Sequence, residues 1–106
     1  MAFVRAASLA DVDEGGLLGL EMEGHRVCLA RLQGDEVYAF ADNCTHRDFP
    51  LSAGELDLEE CSVTCDWHGA QFDVKTGAAL CLPATRAVAT FPVKVEGGEI
   101  LVDVAG

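Results

Sequence analysis

Four side chains in this sequence can bind a soft or borderline metal at short spacing. Cys44 and His46 form a C-x-H pair and Cys65 and His68 a C-x-x-H pair, with eighteen residues between the pairs. Each pair is tight enough to occupy the tip of one loop. Two such loops facing each other would present two thiolates and two imidazoles to one site, which leaves a single metal ion or a cluster as the occupant. Zinc fingers usually set Cys with Cys in one knuckle and His with His on a helix. Here each pair mixes the two ligand types.

The flanking residues extend the pattern. Cys44-Thr45-His46-Arg47 is followed by Pro50-Leu51-Ser52-Ala53-Gly54, and Cys65-Asp66-Trp67-His68-Gly69-Ala70-Gln71-Phe72-Asp73 is followed by Thr76-Gly77 and Leu82-Pro83-Ala84. This arrangement resembles the Rieske-type ferredoxins of bacterial ring-hydroxylating dioxygenase systems, over about Phe3 to Val104 and most closely from Cys44 to Pro83. The resemblance implies one Rieske [2Fe-2S] cluster as cofactor, with Cys44 and Cys65 on one iron and His46 and His68 on the other. It also implies an all-β fold, a Rieske-like antiparallel sandwich or partly open barrel. Residues 1–106 would be a single domain, with a small cluster-binding subdomain at about 43–84 inserted into a base from 1–42 and 85–106. The implied function is that of a soluble one-electron carrier between a flavin-dependent ferredoxin reductase and a terminal oxygenase. Protein and sulfide would fill every iron position, so the chain is expected to be a carrier rather than an enzyme. Two alternatives stay open: the small subunit of NAD(P)H nitrite reductase, which shares the fold, and a module holding structural zinc.

The same resemblance sets expectations for the cluster's surroundings. Rieske centres of the high-potential class carry an extra Cys in each loop, joined as a disulfide; here those positions are Phe49 and Trp67. That class also places hydroxyl donors two and four residues after the second His, where this chain has Ala70 and Phe72. Without those donors the reduced, more negative cluster is less stabilised. The midpoint is therefore expected at the low end of the roughly -150 to +300 mV Rieske range. Pro50, Trp67 and Pro83 would surround the His ligands, with Asp48 and Asp66, which replace a usual Gly and Pro, at the rim of a docking surface.

The elements that must position these loops are short. Phe3–Ala7, Leu17–Met22, His25–Leu32 and Val37–Ala41 are apolar runs bounded by turns at Gly15-Gly16, Glu23-Gly24 and Gln33-Gly34-Asp35, the pattern of an antiparallel meander. Ser8 can cap one helical turn before Asp11. Residues 51–60 are acidic and read as a loop with at most one helical turn, and Ser62-Val63-Thr64 as a strand leading into Cys65. Lys75-Thr76-Gly77 closes a hairpin between Gln71–Val74 and Ala78–Leu80. Phe91, Val93 and Val95 alternate up to Gly97-Gly98, and Ile100, Val102 and Val104 alternate after it, predicting a final hairpin.

Composition bounds the remainder. A chain of 106 residues is too short to hold a catalytic domain beside a Rieske domain. Lys and Arg number 7 against 18 Asp and Glu, a formal net charge of -11, which disfavours nucleic acid and anionic lipid and suits basic protein partners. No apolar run reaches the length of a membrane span, and a cytoplasmic monomer is expected. Five Cys argue against a closed disulfide set. Cys28 and Cys81 lie in apolar runs and read as small buried hydrophobes, Cys61 as a half-buried thiol, and His25 as a surface or edge residue.

Overall fold

The predicted strands assemble into three antiparallel sheets in the computed structural model, which describes residues 3–42, 50–65, 69–81 and 87–104, with the backbone alone for Cys81. The first sheet sets β1 (Val4–Ser8), β11 (Glu99–Val102) and β10 (Val93–Glu96) side by side; the second sets β2 (Leu17–Met22), β3 (His25–Arg31), β4 (Val37–Ala41) and β9 (Thr90–Phe91). The third is a meander of β5 (Glu55–Asp57), β6 (Ser62–Thr64), β7 (Gln71–Asp73) and β8 (Ala79–Cys81). Among the described residues the helical content is two 3-10 turns, Leu9–Asp11 and Leu51–Ala53. The chain is all-β, as expected.

The second sheet is the middle layer. Successive strand residues point to opposite faces, so Val27 and Leu29 join the core shared with the first sheet while Cys28 and Ala30 join the core shared with the third. All four are fully shielded from water. A strand buried on both faces calls for an unbroken apolar run rather than alternation, which Val27-Cys28-Leu29-Ala30 supplies. In β4, Val37 and Ala39 face the first core and Phe40 faces the second. Burying a side chain of this size stabilises by roughly 1.5–3 kcal/mol, so Phe40 from the middle layer and Phe72 from the third, both fully buried in one core, are main ties between them.

Local chemistry sets the turns. Glu23 and Gly24 join β2 to β3 with φ of 49° and 83°, and Gly97 and Gly98 join β10 to β11 with 57° and 79°, the doubly positive φ of type I′ hairpins. Asp11 accepts a 3.0 Å hydrogen bond from the Ser8 amide, closing the first 3-10 turn where a cap is expected. Arg31 ties this region down: its Nη1 donates to the carbonyls of Leu9 (3.2 Å) and Val12 (2.9 Å), and its Nε to that of Gly34 (2.9 Å).

Two expectations are refined. The acidic segment after Gly54 is not all loop, because Glu55–Asp57 pairs with Ser62–Thr64 as an edge strand. Its residues have poor strand propensity, and the ladder to β6 rather than composition makes the strand. The alternating run through Phe91, Val93 and Val95 is also divided. Thr90 and Phe91 pair with β4, whereas Val93–Glu96 pairs with β11. Pro92 lies between them, has no N–H to continue a ladder, and accepts a 3.1 Å bond from the Asp103 amide.

Candidate metal centre

Two stems lead into the stretches that carry the predicted ligands. The first begins where β4 ends, with Asp42, whose amide donates to the Arg26 carbonyl at 3.0 Å. It returns at Pro50, which is half-buried, and the 3-10 turn beginning with fully buried Leu51. Asp42 and Ser52 tie the two ends together: Asp42 Oδ1 accepts from the Ser52 amide and Oδ2 from the Ser52 hydroxyl, each at 2.7 Å.

The second stem is the β6–β7 hairpin. Cys65 follows β6 directly, and its amide donates to the Ala70 carbonyl at 2.7 Å. Gly69 supplies a φ of 72°, so the chain reverses within residues 65–70. Gln71 Nε2 donates to Thr64 Oγ1 at 3.3 Å across the same stem. The stems adjoin. Glu55 pairs with Thr64, and a Cβ on Gly54 would overlap the Thr64 carbonyl oxygen. Gly54 is therefore the position at which the returning first stem crosses the residue preceding Cys65.

Cys65 is 1% exposed and shares its core with Leu51, Ala70 and Phe72. A cysteine in such a setting is a neutral core thiol or, once deprotonated, a metal ligand, because an ionised side chain is retained in an apolar interior when paired or coordinated. Cys28 takes the first of these roles. Burial, and then the negative charge of Asp42, push its thiol well above the usual range. Fully buried in the core shared with the third sheet, it has the place expected of a small core hydrophobe. Cys61 is half-buried with a free thiol, as expected, and occupies a φ of 53°. His25 is exposed and meets the Phe91 ring edge-on at 6.1 Å.

The other expectations divide plainly. Ala70 and Phe72 are wholly buried and carry no hydroxyl. Cys44, His46, Asp48, Phe49, Asp66, Trp67, His68 and Pro83 lie outside the described residues, as does the side chain of Cys81. Among the described residues no three His, Cys, Asp or Glu side chains converge on a point that could hold a metal ion. The contributions of Asp42 and Gly54 are not among the sequence expectations. A signal exists for both: an acidic residue directly after a strand, and a Gly at the end of the Pro-Leu-Ser-Ala turn.

The two Cys/His pairs expected from the sequence would supply the donor set of a Rieske [2Fe-2S] cluster, and Cys65, the one candidate ligand among the described residues, shares its core with apolar Leu51, Ala70 and Phe72. When bound, such a cluster takes up and releases one electron. The ferredoxin component of the naphthalene 1,2-dioxygenase system of Pseudomonas putida is 38% identical over 103 residues, 97% of this chain and 96% of its own length. The 3-phenylpropionate/cinnamic acid dioxygenase ferredoxin subunit of Escherichia coli (strain K12) is 42% identical over 100 residues, covering 94% of this chain and 92% of the relative. Among solved structures, the ferredoxin of carbazole 1,9a-dioxygenase from Nocardioides aromaticivorans IC177 superposes with a TM-score of 0.91 at 35% identity over 96% of this chain and 97% of its own. The Rieske [2Fe-2S] domain model matches residues 2–92, so by sequence and fold this chain belongs to the Rieske [2Fe-2S] domain family.

Proposed function

We propose that this chain carries one electron at a time from a flavin-dependent ferredoxin reductase to a terminal oxygenase, on a Rieske [2Fe-2S] cluster held by Cys44, His46, Cys65 and His68. The observation that supports the reading is the joining of the two stems at Gly54 and Thr64, since the stem returning from residues 43–49 meets the strand that runs into Cys65. Residues of this chain then do three things. Cys65 leaves β6 in a fixed direction because its amide is bonded to Ala70. Leu51, Ala70 and Phe72 keep water from the protein side of the centre, which lowers the local dielectric. Ala70 and Phe72 offer no hydroxyl to a sulfide, so the midpoint lies at the low end of the Rieske range, near the level of a flavin donor.

Pro50, Trp67 and Pro83 form the apolar centre of the docking surface in this reading, and Asp48 and Asp66 its acidic rim. Relatives at full-length coverage are ferredoxin components of dioxygenase systems, and one related structure is a complex of a ferredoxin with its oxygenase. They support the oxygenase as electron acceptor. A nitrite reductase small subunit shares the fold at a TM-score of 0.86 but at 21% identity, a likeness of fold alone. No helix among the described residues is long and apolar enough to cross a membrane, and a cytoplasmic monomer fits the partners proposed.

The test has two arms. Iron and sulfide content of purified Cys44→Ala, His46→Ala, Cys65→Ala and His68→Ala proteins should fall to a small fraction of wild type, while Cys28→Ser, Cys61→Ser and Cys81→Ser stay loaded; a fully loaded Cys65→Ala protein refutes the ligand set. In stopped flow, the oxidised protein should be reduced by NADH through a flavin-dependent ferredoxin reductase and reoxidised by a Rieske oxygenase. Failure of reoxidation by any such oxygenase would remove the terminal step.

A further inference from the structure

Asp42 is nearly buried, and both of its oxygens are spent on one residue, Ser52, through the amide to Oδ1 and the hydroxyl to Oδ2 at 2.7 Å each. The need for this arrangement is local. The 3-10 turn Leu51–Ala53 starts after Pro50, which offers no side-chain cap, so the Ser52 amide at its open end requires an acceptor from elsewhere. Asp42 provides it from ten residues away. A third element seals the pair: on Gly19 of β2 a Cβ would lie 2.5 Å from Asp42 Oδ2 and 2.5 Å from Ser52 Oγ. A strand end, a turn and a glycine of a separate strand thus meet at the two ends of residues 43–51. Two bonds to one carboxylate fix orientation as well as distance.

We propose that the Asp42–Ser52 clamp over Gly19 is a positioning device for the metal centre. By fixing how residues 43–51 leave and rejoin the base, it holds Cys44 and His46 in register with Cys65 and His68. Neither clamp residue is a ligand. The inference rests on the ligand assignment proposed above, and it adds that the first loop is held from its stem by side-chain chemistry as well as by its iron bonds.

The test uses cluster-loaded protein, with the decay of visible absorbance in excess iron chelator and the g-values of the dithionite-reduced cluster as readouts. Ser52→Ala and Asp42→Ala should each speed bleaching by about ten- to a hundredfold, the effect of losing bonds to a shielded charged group, and should shift the g-values. The double variant should bleach no faster than the faster-bleaching single one, because the two residues act as a unit. Asp42→Asn should restore near wild-type bleaching, since an amide can accept from the Ser52 N–H and donate to its hydroxyl. Gly19→Ala, which leaves both partners in place but drives a methyl into them, should behave like Ser52→Ala. Ile100→Val, in the other core, controls for simple destabilisation: it should lower Tm without changing bleaching or g-values.

Bleaching and g-values in Ser52→Ala and Asp42→Ala that match wild type, or move only as far as those of Ile100→Val, would overturn the clamp. If Asp42→Ala yields no loaded protein, Ser52→Ala, which keeps the amide bond, carries the comparison. Cys44→Ala separates this failure from that of the ligand assignment. A Cys44→Ala protein that keeps its cluster overturns both, whereas one that loses it beside wild-type clamp variants overturns the clamp alone.

Discussion

Tyr38 is the chain's single tyrosine, and its hydroxyl donates a 2.7 Å hydrogen bond to Glu36 Oε2. That bond favours the neutral phenol, and burial and the Glu36 charge add to it, raising the pKa from 10.0 to about 12. The unfolded chain releases this proton first as pH rises. The stability contributed is therefore complete below about pH 10 and is lost as the pH rises through about 12. A rapid pH jump followed by the ultraviolet phenolate band should give a midpoint near 12 for wild type and a lower one for Glu36→Ala, which loses the bond and the Glu36 charge but keeps the burial. Equal midpoints would show that the bond does not persist in solution. Lys75, 3.7 Å from the same Glu36 oxygen and half-exposed, contributes little to the pair because water screens it.

At the scale of elements, the hairpins and the loop stems make separate demands. Glu23 holds a φ of 49° ahead of Gly24 in the β2–β3 turn, a position that type I′ turns give to Asn, Asp or Gly. The left-handed region costs an ordinary residue about 1–2 kcal/mol. Glu23→Asn should therefore raise stability by roughly 0.5–1 kcal/mol, read as a higher Tm with the cluster content unchanged. Gly54 presents the opposite case. Its Cβ position lies inside the Thr64 carbonyl, and backbone cannot yield as a side-chain tip can. Gly54→Ala should cost about 1–3 kcal/mol or more, and cluster yield should fall with stability because the β5–β6 ladder and the Cys65 stem move together. A Gly54→Ala protein with wild-type Tm and iron content would show that the two stems do not cross as described.

At the scale of the molecule, charge governs encounter. Seven cations face 18 carboxylates, and several of the cations are already engaged: Arg5 with Glu99, Lys75 with Glu36, Lys94 with Glu96, and Arg31 with backbone carbonyls. The outward field is negative and attracts a basic partner over distances set by a Debye length of about 8 Å at physiological ionic strength. The second-order rate of reduction by a flavin-dependent ferredoxin reductase should fall as salt rises, with kinetics at saturating reductase changed less. A salt-independent rate would assign the net charge of -11 to solubility alone.

Whatever depends on near neighbours along the chain is legible from residue type and spacing. The C-x-H and C-x-x-H pairs, the apolar replacements at Ala70 and Phe72, and the turns at Glu23-Gly24, Thr76-Gly77 and Gly97-Gly98 are set by residue type and spacing, since ligand chemistry, alternation and positive φ are local properties. The continuous run Val27-Cys28-Leu29-Ala30 marks burial, but its division between two cores depends on the first and third sheets lying on either side of β3. Tertiary structure alone decided the edge strand Glu55–Asp57, the division of one alternating run between two sheets at Pro92, the Asp42–Ser52 clamp and the crossing of Gly54 over Thr64. Each of these joins backbone or side chains whose approach is set by how whole layers stack. No residue type states in advance which distant carbonyl or carboxylate it will meet.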